Sequence, residues 1–205
     1  MSAQSKPLQL IIASSNEGKL REYRALAASA DASLDLVLIP NFGALPKFDE
    51  AADTFAENAM GKALHYSRFC EGLVIADDSG LVVPALGGAP GVHSARYAGL
   101  NASDTDRIHK LIEAMRGKKG EDRRARFVCV VALAERGEPR GVFSASAEGE
   151  LLDAPRGDGG FGYDPIFFFP TLGKTFAEIS REEKNHHSHR GKVFRKAVDF
   201  LACAT

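Results

Sequence analysis

The chain has 205 residues, 44% of them hydrophobic and 26% charged, with a formal net charge of -1 at pH 7. This is the composition of a folded globular protein, and so balanced a charge provides no bulk attraction to nucleic acid. Cys70, Cys129 and Cys203 are an odd, widely spaced set that fits neither a disulfide framework nor a structural zinc site, so they read as buried free thiols.

Leu8 to Ala13 is an apolar run too brief for a secretion signal or a membrane span, which points to a cytoplasmic protein with no membrane attachment. It reads instead as a buried strand running into Ser14-Ser15-Asn16-Glu17-Gly18-Lys19. A helical pattern follows, with Leu20, Tyr23 and Leu26 on one face. The loop has two readings. It is a phosphate cradle, because free N–H groups and the dipole at a helix start favour anions, or it is an ordinary polar connection. The spacing of a Walker loop is absent. Leu34 to Ile39 is a second strand candidate, stopped by Pro40.

Thr54 and Glu57 have the capping-box spacing and announce a helix with Phe55, Ala59, Ala63 and Tyr66 on its apolar face. Leu73 to Ala76 then forms a strand that delivers Asp77 and Asp78 to its C-terminal end, where open α/β sheets place their ligands. Consecutive residues on an extended segment point opposite ways. One acid can therefore face supporting hydrogen bonds while the other, for which Asp78 is the candidate, faces a ligand. The duller reading is a turn at Asp-Ser-Gly. Such carboxylates suit magnesium, which takes one or two of them plus phosphate oxygens. Glu50 and Glu57 are the further candidates, against readings as a solvated loop charge and a helix cap.

Leu81 to Leu86 is expected to continue extended, with Gly87-Gly88-Ala89-Pro90-Gly91 as loop. Ser103 caps a helix bearing Ile108, Leu111, Ile112 and Met115, ended at Gly117 and Gly120. Arg126 to Ala134 and Gly141 to Ala147 form an antiparallel hairpin, making the sheet mixed. Ser180 and Glu183 repeat the capping-box spacing. A last helix, Gly191 to Ala202, presents Val193, Phe194, Ala197, Val198 and Leu201 to the sheet.

Between these elements lies a purine-type pocket signature. Phe161, Gly162, Tyr163 and Asp164 stand among Gly157, Gly159 and Gly160, and Lys184, His189 and Arg190 follow within thirty residues. Aromatic rings stack on a base while such side chains read its polar edge. Phe167 to Phe169 read as core. Zinc at His186, His187 and His189 is the alternative, weakened by the lack of a nearby cysteine.

With these residues in view, the chain resembles the inosine triphosphate pyrophosphatase family. The resemblance runs through Ser14 to Lys19, Thr54-Phe55-x-Glu57-Asn58-Ala59, Ala76 to Gly80, Gly87 to Gly91 with Ser94-Ala95-Arg96-Tyr97, Gly159 to Pro165, and Glu183-Lys184 with Ser188-His189-Arg190. Ser15 departs from the glycine common in bacterial relatives.

The resemblance implies an α/β fold, an elongated mixed β-sheet flanked by helices, in two lobes with a central active-site cleft, residues 1–205 forming one domain. It implies a homodimer and a Mg²⁺-dependent hydrolysis of non-standard purine nucleoside triphosphates (ITP, dITP, XTP) to monophosphate and pyrophosphate. Asp78 is implied as general base and metal contact, and Glu50 as a second metal carboxylate. Ser14, Ser15, Asn16, Glu17, Gly18, Lys19 and Ser79 are implied to contact substrate, and Phe161, Gly162, Tyr163, Asp164, Lys184, His189 and Arg190 to hold the base.

Overall fold

In the computed structural model, residues 8–29 and 34–204 are described. Seven strands form one sheet in the order β2-β1-β3-β4-β5-β6-β7. These are β1 Leu8–Ile12, β2 Leu34–Leu38, β3 Leu73–Val82, β4 Arg124–Glu135, β5 Glu138–Leu151, β6 Phe167–Phe169 and β7 Lys174–Thr175. Among the described residues five α-helices accompany them: α1 Glu17–Ser29, α2 Phe55–Tyr66, α3 Asp104–Ala114, α4 Arg181–His187 and α5 His189–Ala204.

β1 pairs in parallel with both β2 and β3, whereas β6 is antiparallel to β5 and to β7. The sheet is therefore mixed, as expected. β4 and β5 are neighbours joined only by Arg136 and Gly137, both at positive φ (52° and 80°). A two-residue connection of this kind closes only an antiparallel hairpin. Both hairpin strands are longer than the hydrophobic pattern predicts, because strand pairing continues through polar residues such as Arg124 and Glu148 that the pattern excludes.

The chain divides into two compact units. The first holds the chain through Asp78 with Val130–Ser144 and the segment from Val193; the second holds Ser79–Cys129 and Ala145–Lys192. In the first unit, α2 packs Ala59, Ala63 and Tyr66 with Ile11, Val74, Ala76, Val130 and Ala132. Small residues on facing surfaces let helix and sheet approach closely. Tyr23 of α1 meets Phe194 of α5 edge to face at 5.6 Å.

The second unit has its own core, in which Leu111 and Met115 of α3 join Phe127, Phe167, Phe169 and Phe176. Phe167 and Phe169 are core, as predicted, while Phe168 is half-buried. All three side-chain caps fall where the spacing places them: Thr54 on α2, Ser103 on α3 and Ser180 on α4.

Three expectations need correction. The strand that starts at Leu73 does not end at Ala76 but pairs on to Val82, so Asp77 and Asp78 lie within β3 and not at its C-terminal end. The extended chain stops at Val82, and Pro84–Leu86 is a 3₁₀ turn. Proline fixes φ near the helical value and has no N–H to give to a ladder. The thiols also differ: Cys129 is buried and Cys70 half-buried, but Cys203 is exposed on the last turn of α5. Among the described residues no helix is long and apolar enough to cross a membrane.

Candidate active site

In the first unit the alternation of β3 decides where each acid goes. Val74 and Ala76 face α2, and Asp78 continues that face. Asn58, one turn into α2, donates from its amide to Asp78 Oδ2 at 3.1 Å. Asp77 has the opposite orientation, and its carboxylate lies 3.0 Å from Lys19 Nζ on α1. Both acids are almost fully buried, 2% and 5% exposed.

Asn58 is itself fixed. Its carbonyl accepts from Ala52 N and its amide also donates to Ala52 O, each at 3.1 Å, so α2 and the preceding loop form one rigid mount. Lys62 lies one turn further along α2 and donates to Asp77 O at 3.1 Å while pairing with Glu50 Oε1. Glu50 is thereby drawn into the field of Asp78. Burial is the main cause that raises the Asp78 carboxyl above the usual aspartate range. Lys19 and Lys62 oppose the shift, Glu50 adds to it, and the Asn58 hydrogen bond opposes it.

The phosphate-loop candidates lie at the start of α1. The helix begins at Glu17, three residues before Leu20, where the hydrophobic pattern starts, so Gly18 and Lys19 belong to its first turn. Asn16 Oδ1 accepts from Lys19 N at 3.0 Å, and Ser14 Oγ accepts from Asn16 N at 3.2 Å. Ser15, Asn16 and Glu17 are exposed. Glu57 is occupied at the helix cap, accepting from Thr54 Oγ1 at 2.7 Å, whereas Glu50 pairs with Lys62.

The residues present fit a hard divalent cation. Glu50 and Asp78 are oxygen donors whose mutual repulsion contributes to the raised Asp78 carboxyl, and magnesium needs only one or two such groups besides phosphate. Among the described residues no group of three His, Cys, Asp or Glu is arranged for a metal. The three histidines proposed for zinc take different partners. His186 meets His187 edge-on, His187 packs on Phe169, and His189 stacks on Phe127 at 4.8 Å with planes 10° apart.

In the second unit Asp164, Lys184, His189 and Arg190 are all buried. Asp164 Oδ2 accepts from Phe161 N at 2.8 Å and pairs with Lys184 Nζ. The Lys184 ammonium also lies 4.9 Å from the centre of the Phe161 ring, and the Arg190 guanidinium 5.7 Å from it. A half-buried ring with two cations around it has the chemistry to stack on a planar, electron-rich group. Gly160, at φ 72°, allows this arrangement, since a Cβ there would collide with the Asp164 carboxylate. Arg190 donates to Ser79 Oγ at 2.8 Å, so the residue next to Asp78 in β3 is tied to the arginine beside Phe161.

Tyr163 departs from the expectation of a ring offered to a base. It is 3% exposed within the aromatic core, and its hydroxyl donates to Ser94 O at 2.9 Å. Burial pushes its phenol far above the ordinary tyrosine value. Ser94 in turn accepts from Leu81 N at 2.9 Å and donates to Gly91 O at 2.6 Å. The glycine-rich 87–91 stretch thus belongs to a brace behind Tyr163.

Sequence reasoning left Asn58, Lys62 and Ser94 without a role at the site. The signal for the first two was present. Asn58 and Lys62 are polar residues at i, i+4 spacing, and Asn58 stands beside Ala59 on an otherwise apolar helix face.

A parallel β2-β1-β3 arrangement that carries buried acids at an interior strand, with lysines from two helices upon them, defines an α/β protein with a built, charged cluster on its central strands. More particularly, the chain belongs to the Ham1 family, whose model matches residues 10–200. It is 50% identical over 188 residues to a dITP/XTP pyrophosphatase of Geobacillus kaustophilus, covering 92% of this chain and 91% of that protein. It is 46% identical over 195 residues to the dITP/XTP pyrophosphatase of Pectobacterium atrosepticum, covering 94% and 98%. Among solved structures, a HAM1 protein from Coxiella burnetii matches with a TM-score of 0.84 and 41% identity over 95% of this chain and 98% of that one.

Proposed function

We propose that this protein hydrolyses non-standard purine nucleoside triphosphates (ITP, dITP and XTP) to monophosphate and pyrophosphate, keeping them out of nucleic acids. The observation that carries this reading is the buried Asp78 carboxylate, oriented by Asn58 and flanked by Lys19 and Lys62. A raised carboxyl is a better proton acceptor than an ordinary one, and a fixed carboxylate is ready to orient and deprotonate a water. The dITP/XTP pyrophosphatase activity for which the relatives are named supports the same reading.

In this reading Asp78 takes the proton of the water that attacks the α-phosphorus. Lys19, the amides at the start of α1, and Ser14 to Gly18 bind the phosphates, with Lys62 holding Glu50 in place. Glu50 and Asp78 would hold Mg²⁺. When bound, it would neutralise phosphate charge.

Phe161 stacks on the base, Lys184 and Asp164 hold that ring in place, and Ser79 contacts substrate. His189 and Arg190 donate to the 6-keto oxygen. Against adenine such a donor faces an amino group, and leaving it unpaired costs about 1–3 kcal/mol, enough for roughly a five- to 150-fold preference per group. Gly162 and Tyr163 serve through the backbone turn they form. We further propose one enzymatic domain over residues 1–205, a homodimer, and a cytoplasmic location with no nucleic-acid partner.

The test is a nucleoside triphosphate panel with and without Mg²⁺, scoring bases cleaved and the phosphate product. Release of pyrophosphate from ITP and XTP in preference to ATP is expected. Release of orthophosphate, or equal rates on all bases, overturns the reading.

A further inference from the structure

Three consecutive residues of the base-side turn are each held by a different partner. Phe161 N donates to Asp164 Oδ2 at 2.8 Å, and Tyr163 Oη donates to Ser94 O at 2.9 Å. Both partners lie in the buried network of the second unit. The middle residue, Gly162, has φ 62° and its N–H donates at 2.7 Å to Asp104 Oδ2, the first residue of α3 and 58 positions away.

An acid on a helix's first turn has an ordinary explanation in the dipole. That explains the charge but not its aim. The other carboxylate oxygen of Asp104 pairs with Arg107, and Arg107 is itself anchored on Ala95 O at 2.9 Å and Ala102 O at 2.7 Å. The carboxylate is therefore oriented from one side and spends its remaining oxygen on the Gly162 amide. Glycine has the widest backbone choice of any residue, and a charge-assisted bond to its N–H selects one conformation.

We propose that Asp104 is a positioning residue for base recognition. By fixing Gly162 it sets the direction of the Phe161 ring, acting on the substrate only through that turn. The inference rests on the base-binding role given to Phe161 above. Asp104 is 43% exposed at its side chain and stands outside the aromatic core, so its removal frees the turn without opening that core.

The test uses the full-length protein with Asp104→Ala and Asp104→Asn, the second preserving size and one neutral acceptor. Amide exchange at Gly162 is followed by NMR without nucleotide, alongside kcat and KM for ITP and ATP. Asp104→Ala is expected to speed Gly162 exchange and raise KM for ITP on the order of tenfold, with a reduced ITP preference and a smaller change in kcat. Asp104→Asn is expected to fall between the two. Unchanged Gly162 exchange overturns the assignment, as does faster exchange with unaltered KM and preference, or a fall in Tm alone. A wild-type enzyme without purine preference defeats the functional reading instead, and Gly162 exchange then decides whether Asp104 holds the turn.

Discussion

The amide of Asn58 donates to Asp78 Oδ2 at 3.1 Å while both of its polar atoms are tied to Ala52. A side chain pinned at both ends transmits the position of α2 to the carboxylate on β3. Asn58→Ala should therefore lower kcat by about 10–100-fold, the usual cost of losing a group that orients a reacting one. Steady-state kinetics on ITP check this, with KM moving less than kcat. An unaltered kcat would show that Asp78 is held well enough by burial and the lysines.

Asp78→Asn should abolish turnover while nucleotide binding persists, measured by calorimetry beside pyrophosphate release. It should also stabilise the metal-free protein at neutral pH. The folded carboxyl is raised, so the native state favours the protonated form, and the stability this confers is lost as pH rises through the folded value. The amide imitates the protonated form at every pH. The gain in Tm should be present at neutral pH in EDTA and shrink as pH falls toward the ordinary aspartate value of about 4. A gain that grows in acid contradicts this.

Lys62→Met removes the partner of Glu50 and one cation near Asp78. Glu50, released from its mount, should hold a divalent ion less well, so the Mg²⁺ concentration for half-maximal rate should rise. The loss of positive charge should move the acid limb of the pH–rate profile upward, since Lys62 keeps the Asp78 carboxyl lower than burial alone would. A downward move would reverse the sign argued here.

Lys184 and Asp164 form a buried pair, 8% and 3% exposed at their side chains. Lys184→Met leaves an uncompensated carboxylate in the second unit, and breaking such a pair costs about 3–5 kcal/mol. Urea unfolding measures it. A loss under about 1 kcal/mol would rank the pair with exposed bridges, which contribute little.

His189→Ala should narrow the preference for ITP over ATP, read as the ratio of kcat/KM values. The ring's stacking on Phe127 holds it in one orientation, so substitution removes a placed donor along with a packing contact. An unchanged ratio moves recognition to Arg190 or to the backbone.

Much of the site was legible in sequence because its signals are short-ranged. The start of an apolar strand running into two acids, and cap residues three positions before their partners, read correctly because helix and strand periodicity act over a few residues. The strand's continuation to Val82 through polar residues did not. Tyr163 was harder. A tyrosine among glycines looks the same on paper whether its ring points outward or its hydroxyl reaches a carbonyl 69 positions away.

The amino-acid order alone determined the strand and helix alternation, the attachment of Asp77 and Asp78 to an apolar strand, and the aromatic, glycine and cation composition of the segment from Gly157 to Arg190, while the interior position of that strand came from the sheet order. Tertiary structure decided which group each of these meets: Asn58 on Asp78, Lys62 on Glu50, Arg190 on Ser79 across 111 positions, and Asp104 on Gly162. Periodicity specifies the face on which a side chain lies. What stands opposite that face depends on how elements dock, and docking is set by the shape and burial of the whole core.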